Sequence, residues 1–460
     1  MDRRDDEMSL LWLVFIPPLV GVVVYPIRKI PWLPSIVSAT TMVAVGFVAL
    51  SLPENQTMFV MGRPLVFHPM ARYLFLLTCG SFAFLFLYGG GDSPGNLFCP
   101  LGLVVAGVLG AVILIQHIAI AALFLELAVI VIALQIPGED PSSAQCAMRY
   151  LVVITMAILP LLLTPWVAEM YQLSPSDTTL PQFILVAVVV SFMILLGVIP
   201  FHVWLPPIGE HGPPVVTAVL TAPVSVIVWY RLLDAMQSYP WMGADPRMEP
   251  FLVAVGMWTM IIGGVLAFSQ RNLGRLMGYV AISDLGMILV GTGMGASFGQ
   301  QAMLYHWMTR SLALVLMAMS ISTLRHYKGD IDIDTLRSAA RRYPVATVGL
   351  LVSGLSLAGP PLTGGFVGRW ILIRALIQTS LPQALAFLGS SAAIGWAYLR
   401  VLGATLAPPE EPHDAREPLL PSILIAITTI FLLALVWYSQ PVLDLLPALA
   451  ENLFSFGPGG

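Results

Sequence analysis

Apolar residues in this chain come in long unbroken runs instead of alternating with polar ones. Runs able to cross a hydrocarbon core of ~30 Å fall at 9–27, 33–52, 71–90, 97–115, 117–136, 147–169, 182–204, 213–234, 249–268, 274–296, 299–323, 343–372, 383–407 and 419–438. This pattern predicts an all-α polytopic membrane protein of about fourteen transmembrane helices, numbered here as spans 1 to 14. Two spans are interrupted, span 7 at Gly197-Val198-Ile199-Pro200-Phe201-His202 and span 12 at Leu357-Ala358-Gly359-Pro360-Pro361-Leu362-Thr363-Gly364-Gly365. Proline removes a backbone donor and glycine loosens the ladder, so protein or water must satisfy the freed groups. The two breaks are five spans apart, each fourth in a five-span block (97–234 and 249–407). An odd number of spans per block inverts the second copy in the membrane, and paired broken helices in inverted repeats point to an ion path near the midplane. Proline kinks that merely bend a membrane helix are the plainer alternative. The expected organisation is three helices in 1–96, the two blocks, and a last helix with its tail in 408–460.

Composition agrees with this class. The chain is 58% hydrophobic and only 10% charged, with a mean hydropathy of +0.87, whereas a soluble domain is ~25% charged. A water-soluble enzyme, a disordered chain and a collagen-like chain are excluded. A net charge of −4 offers no basic footprint for nucleic acid. The three cysteines (Cys79, Cys99, Cys146) have no ligand-like spacing, so neither a disulfide framework nor a metal or iron–sulfur site is expected. Met1 to Glu7 is acidic-rich and unlike the basic start of a cleaved signal, so the first helix is expected to be retained.

Loops that follow odd-numbered spans hold 12 basic residues and the opposite side holds 5 (Arg3, Arg4, Arg63, Arg72 and Arg247). The positive-inside bias then puts both termini on the outer side. The segment 324–342 falls in the cytoplasm. Its acidic start (Asp330, Asp332, Asp334) and basic finish (Arg337, Arg341, Arg342) fit the dipole of a short surface helix.

An ionisable group inside a span costs roughly 2.5–3.5 kcal/mol on insertion scales, so each one needs a reason. Glu126 lies in the middle of span 5, where the alternatives are a proton site and a carboxylate bonded to a neighbouring helix. Asp284 in span 10 is either a proton site or an interhelix tie to Arg231, Arg275 or Arg310. His306 and Arg310, four apart, share one face of span 11. His202 sits at the span 7 break. Arg369 and Arg374 follow the span 12 break, and Arg374 has the length to snorkel to the interface. Arginine keeps its proton, so a proton path would run through Glu126, His202, Asp284, His306 and water, with Arg310 and Arg369 setting the field.

These residues resemble the antiporter-like membrane subunits of respiratory complex I and their relatives in group 4 membrane hydrogenases and multisubunit sodium/proton antiporters. The resemblance runs from about span 4 to span 13. It is carried by Pro200-Phe201-His202-Val203-Trp204-Leu205-Pro206 followed by Glu210 and Gly212-Pro213, by Arg275 to Ser283, by Tyr305-His306, by Ser356-Leu357-Ala358-Gly359 with Gly365-Phe366-Val367-Gly368-Arg369-Trp370, and by Ser143 to Tyr150. The last two stretches favour the N-type subunit of complex I. The resemblance implies proton or sodium translocation along a hydrated axis of charged residues, in which a span 5 glutamate (here Glu126) faces a span 7 lysine. Further lysines would lie on spans 8, 11 and 12. This chain departs from that pattern. The lysine positions hold Leu195, Ser225, Leu314 and Arg369, the second span 11 histidine is Arg310, and the aspartate after Trp204-Leu205-Pro206 is Pro207.

The expectation is therefore a membrane subunit of a complex I-like proton-translocating oxidoreductase, with a degenerate or rewired channel. No redox chemistry, cofactor or metal is expected in this chain; quinone, flavin and iron–sulfur centres would belong to partner subunits. The expected partners are other membrane subunits and the lipid bilayer, with no nucleic acid, and the expected location is the inner (plasma) membrane. The alternatives are a component of a sodium/proton antiporter or bicarbonate-uptake system, and a non-pumping structural scaffold.

Overall fold

The computed structural model describes residues 3–89, 97–138, 141–173, 179–239, 245–295, 297–329, 331–408 and 417–446. Asp330, Arg416 and the tail ending in Gly457–Gly460 lie outside them. In chain order the elements are α1 (Arg3–Ile27), α2 (Leu33–Ser51), β1 (Gln56–Val60), β2 (Arg63–Phe67), α3 (Pro69–Gly89), α4 (Phe98–Leu114), α5 (Ile118–Ala133), α6 (Pro141–Leu173) and α7 (Thr179–Leu196). A 3-10 turn (Phe201–Trp204) leads into α8 (Leu205–His211). Next is α9 (Pro214–Ser238), which carries a π turn at Leu220–Val224. It is followed by α10 (Met248–Ser269), α11 (Leu273–Gly293) and α12 (Ser297–Lys328). The remaining helices are α13 (Ala339–Arg342), α14 (Pro344–Ala358), α15 (Phe366–Thr379), α16 (Leu381–Leu406), α17 (Leu419–Trp437) and α18 (Ser439–Leu445).

Among the described residues eleven helices are long and apolar enough to cross a membrane, and α4, α5 and α14 are shorter apolar helices. Both interruptions read from the sequence are present. In span 7 the helix stops at Leu196, Gly197 takes φ +69°, and a cis Ile199–Pro200 bond precedes the 3-10 turn. In span 12 the helix stops at Ala358, Gly359 takes the left-handed φ +80° that favours glycine, and α15 begins after Gly365.

The chain divides into two compact units, one holding the described residues of 1–196 and 223–245, the other those of 197–222 and 246–454. In the first unit α1 carries Pro17, Pro18 and Pro26 inside the helix, and Gly107 of α4 leaves room for the Pro18 ring. The β1–β2 hairpin, which the hydropathy runs did not reveal, turns on Met61 (φ +51°) and Gly62 (φ +77°). Two successive positive φ angles match the twist of a tight hairpin.

In the second unit α10 and α11 pack with almost no side chain between them. A Cβ on Gly256 would lie 2.7 Å from the Gly286 carbonyl oxygen, so small residues set the approach. Gly209 of α8 and Gly274 of α11 likewise present bare backbone to each other.

The surface segment differs from expectation. Instead of one helix with an acidic start and a basic end, α12 continues to Lys328 and the chain then makes a 3-10 turn (Ile333–Leu336) and the four-residue α13. The reason is a backbone tether. Leu273 N–H donates to the Ile331 carbonyl (3.0 Å), Ile333 N–H donates to the Arg271 carbonyl (2.7 Å), and the Asn272 amide donates to Asp332 (3.0 Å). These bonds hold the segment extended where a helix would have begun.

Candidate functional site

Four charged or titratable side chains meet inside the second unit around Asp284 of α11, which is 0% exposed. His306 Nε2 lies 2.9 Å from each carboxylate oxygen. Arg310 Nε lies 3.0 Å from Oδ2, and Arg369 Nη2 donates to Oδ1 at 2.7 Å. One carboxylate thus faces two guanidiniums and an imidazole, and all four residues are at most 2% exposed. Of the three interhelix ties open to Asp284, the structure makes the one to Arg310 and adds His306 and Arg369. Arg231 instead pairs with Asp234 (2.9 Å), and Arg275 pairs with Glu210.

The arginines also serve the backbone. Arg369 rises from the first turn of α15 and donates to the Leu357 carbonyl in the last turn of α14, and to Ser391 Oγ (2.8 Å). It thereby satisfies a carbonyl that the helix break leaves without its intrahelical partner. Arg310 donates to the Thr221 carbonyl inside the π turn, where Pro223 interrupts the ladder, and to the Ala281 carbonyl (3.1 Å). Arg310 spreads these contacts over all three nitrogens of its planar fork, and Arg369 serves the acid and the carbonyl from Nη2 and the serine from Nη1, a spread that a single ammonium nitrogen does not offer.

Glycines shape the space. A Cβ on Gly359 would overlap the Arg369 stem, and one on Gly368 would lie 3.0 Å from His306 Cβ and 3.4 Å from its Nδ1. That Nδ1 is buried and has no hydrogen-bond partner among the described residues. Within the hub it is an atom able to pass a proton that Asp284 does not already occupy.

Glu126 belongs to the first unit. On α5 it is half-buried and accepts a hydrogen bond from Thr155 Oγ1 of α6 at 2.6 Å, while its Oε2 is buried without a partner among the described residues. Leu195 of α7, at the position of the expected lysine, is buried. His202 lies in the 3-10 turn of broken span 7 with its ring 5.9 Å from that of Tyr279, and it bonds to none of the hub residues. Arg374 is exposed at the far end of α15. Among the described residues no group of three or more histidine, cysteine, aspartate or glutamate side chains gathers as a metal site.

One cluster was not visible in the sequence. In the first unit Arg231 donates to the Ile115 carbonyl (2.9 Å) as well as pairing with Asp234, and the adjacent Tyr230 hydroxyl meets His68 Nε2 at 2.8 Å. Ala71 N–H donates to His68 Nδ1 (3.1 Å), so Nδ1 carries the lone pair and Nε2 the proton, which it donates to Tyr230. Burial and the Arg231 charge lower the His68 imidazole from its usual 6.5 to about 4. The unfolded chain therefore takes up a proton near pH 6.5 that the folded chain refuses until about pH 4. We expect the melting temperature in detergent to fall as pH drops through that window. His68→Gln should remove this part of the slope, and an unchanged slope in the variant would refute the assignment. The sequence shows Arg231 and Asp234 as charges inside span 8 and His68 outside any span, but nothing in it joins them, because His68 and Tyr230 lie 162 residues apart.

The geometry can be set beside known proteins. Residues 116–395 match the transmembrane family described as NADH:quinone oxidoreductase/Mrp antiporter. The chain is 28% identical over 276 residues to NADH-quinone oxidoreductase subunit N of Mycobacterium bovis, an alignment covering 57% of this chain and 51% of that protein. It is 33% identical over 264 residues to the protein of the same name in Ectopseudomonas mendocina, covering 54% and 52%. The chain thus spans about half the length of these curated relatives. In fold it is similar to a chain of the Mrp complex from Dietzia sp. DQ12-45-1b, with a TM-score of 0.88, 18% identity and 98% of each chain covered.

Proposed function

Because the chain belongs to the NADH:quinone oxidoreductase/Mrp antiporter transmembrane family, we propose that it is an antiporter-like subunit of a multisubunit, complex I-like proton-translocating assembly in the plasma membrane. Its neighbours there would be other membrane subunits, with any quinone, flavin or iron–sulfur chemistry left to them. Its termini would lie on the outer side, as the distribution of Lys and Arg favours.

The observation that carries this reading is the buried hub at the break of span 12. A buried carboxylate paired with two arginines is costly to assemble and has a use where charge must be held in the membrane interior. Within the hub, Arg310 and Arg369 cannot release protons, and they supply the counter-charge that faces Asp284. The exchangeable group is His306, whose Nε2 is anchored on Asp284 and whose Nδ1 faces Gly368 at the broken helix. We assign it the relay that lysines perform in the sequences this chain resembles. Glu126, with Thr155 on one oxygen and the other unpartnered, takes the corresponding place in the first unit.

A second reading also has an observation behind it. Leu195, Ser225 and Leu314 stand where the resemblance places lysines, which favours a subunit that seals and spaces its assembly without pumping. The two separate in vesicles containing the purified native assembly, with proton uptake followed by a pH dye. A relay at His306 predicts that His306→Gln and Glu126→Gln each lower uptake at least tenfold while the assembly stays intact. Uptake unchanged by both substitutions would overturn the relay and leave the scaffold. The same vesicles under a sodium gradient identify the coupling ion.

A further inference from the structure

In the second unit a cavity of about 410 Å³ lies between the start of α12, the C-terminal half of α15 and α18. Its polar lining is Gln301, Arg374, Gln378, Gln440 and Asp444. None of these five side chains has a hydrogen bond or ion pair with another described residue, although a cation and a carboxylate line the same space. The rest of the wall is apolar, from Ile371, Ala375 and Leu443. The volume falls within the ~300–1,000 Å³ typical of small-molecule sites. Its depth is marked by Trp437 and Tyr438, 78% and 69% exposed where α17 ends and α18 begins. Exposed tryptophan and tyrosine at the end of a span belong to the headgroup level of a bilayer.

We propose that this cavity is a phospholipid site selective for the ethanolamine headgroup. Arg374 takes the phosphate through its guanidinium, and Asp444 takes the primary ammonium. The three glutamines bridge to the ester and phosphate oxygens. Ile371 and Leu443 line the start of the acyl chains. The amphipathic wall is what distinguishes a lipid from a free zwitterion, since a soluble headgroup has no use for it. An ammonium with three N–H donors suits a carboxylate and amide oxygens, whereas choline has no N–H to give and glycerol no charge.

The test is native mass spectrometry of the full chain in detergent with equal amounts of phosphatidylethanolamine, phosphatidylglycerol and phosphatidylcholine. The expected result is preferential retention of phosphatidylethanolamine. Arg374→Gln should lower retention of all three lipids about tenfold, the scale of one charged hydrogen bond. Asp444→Asn should abolish the preference while leaving retention of phosphatidylglycerol unchanged. Both variants should melt with the parent, since neither side chain bonds to another described residue. Equal retention of the three lipids by the parent, or retention by both variants matching the parent, would overturn the proposal. So would displacement of the lipid by excess soluble glycerophosphoethanolamine, which would make the site one for a free zwitterion.

Discussion

Replacing Asp284 with Asn is expected to cost the folded chain about 3–5 kcal/mol, the range for removing one partner of a buried ion pair. The carboxylate is the acid that Arg310 and Arg369 both face at 0% exposure. An amide of the same shape keeps the volume but leaves two buried guanidiniums with no counter-charge. The chain should melt far lower in detergent and accumulate poorly. The loss arises from the stranded arginines, so it should be rescued in part by changing them as well. A triple variant, Asp284→Asn with Arg310→Gln and Arg369→Gln, which removes both charges and keeps amide donors near the Thr221 and Leu357 carbonyls, should melt above the single variant despite carrying more substitutions. A single variant that melts with the parent would mean that the hub contributes no stability.

Gly359→Val should have the next largest effect, about 3 kcal/mol or more, for two separable reasons. At φ +80° a β-branched residue is strained wherever it is placed. Its Cβ would also occupy the space of the Arg369 stem and lever the guanidinium away from both Asp284 and the Leu357 carbonyl. The second cause couples the two sites. In the background of Asp284→Asn, the valine has less left to disrupt, and the combined loss should fall short of the sum of the single losses. Strict additivity in a melting-temperature cycle would show that Gly359 acts through backbone strain alone.

Much of this architecture was open to reading because the spans are written as apolar runs and the breaks as clusters of glycine and proline. The 3.6-residue period placed His306 and Arg310 on one face of a helix, and the rarity of charge inside a span flagged Asp284 and Glu126. The sequence did not say which buried charges meet. Arg231, Arg275 and Arg310 were equivalent as partners for Asp284, because pairing depends on helix neighbours that a periodicity cannot rank. Arg369 joins the hub through the turn at Gly359, a three-dimensional consequence of the break that a linear motif does not carry. The β1–β2 hairpin escaped for a different reason. Its turn is Met61-Gly62, and only one of those residues signals a positive φ. The helix expected over 324–342 gave way because its backbone donors and acceptors are spent on residues 271–273, a tertiary preference that overrides local propensity.

The double duty of Arg369 has a mechanical consequence. The residue neutralises an acid on α11 and closes a broken carbonyl on α14 from the same Nη2, while its Nη1 reaches Ser391 on α16. A lysine's one ammonium has the donors for the acid and the carbonyl but no second nitrogen for the serine. The guanidinium therefore acts as a rivet through three helices, and shortening it should loosen all of them together.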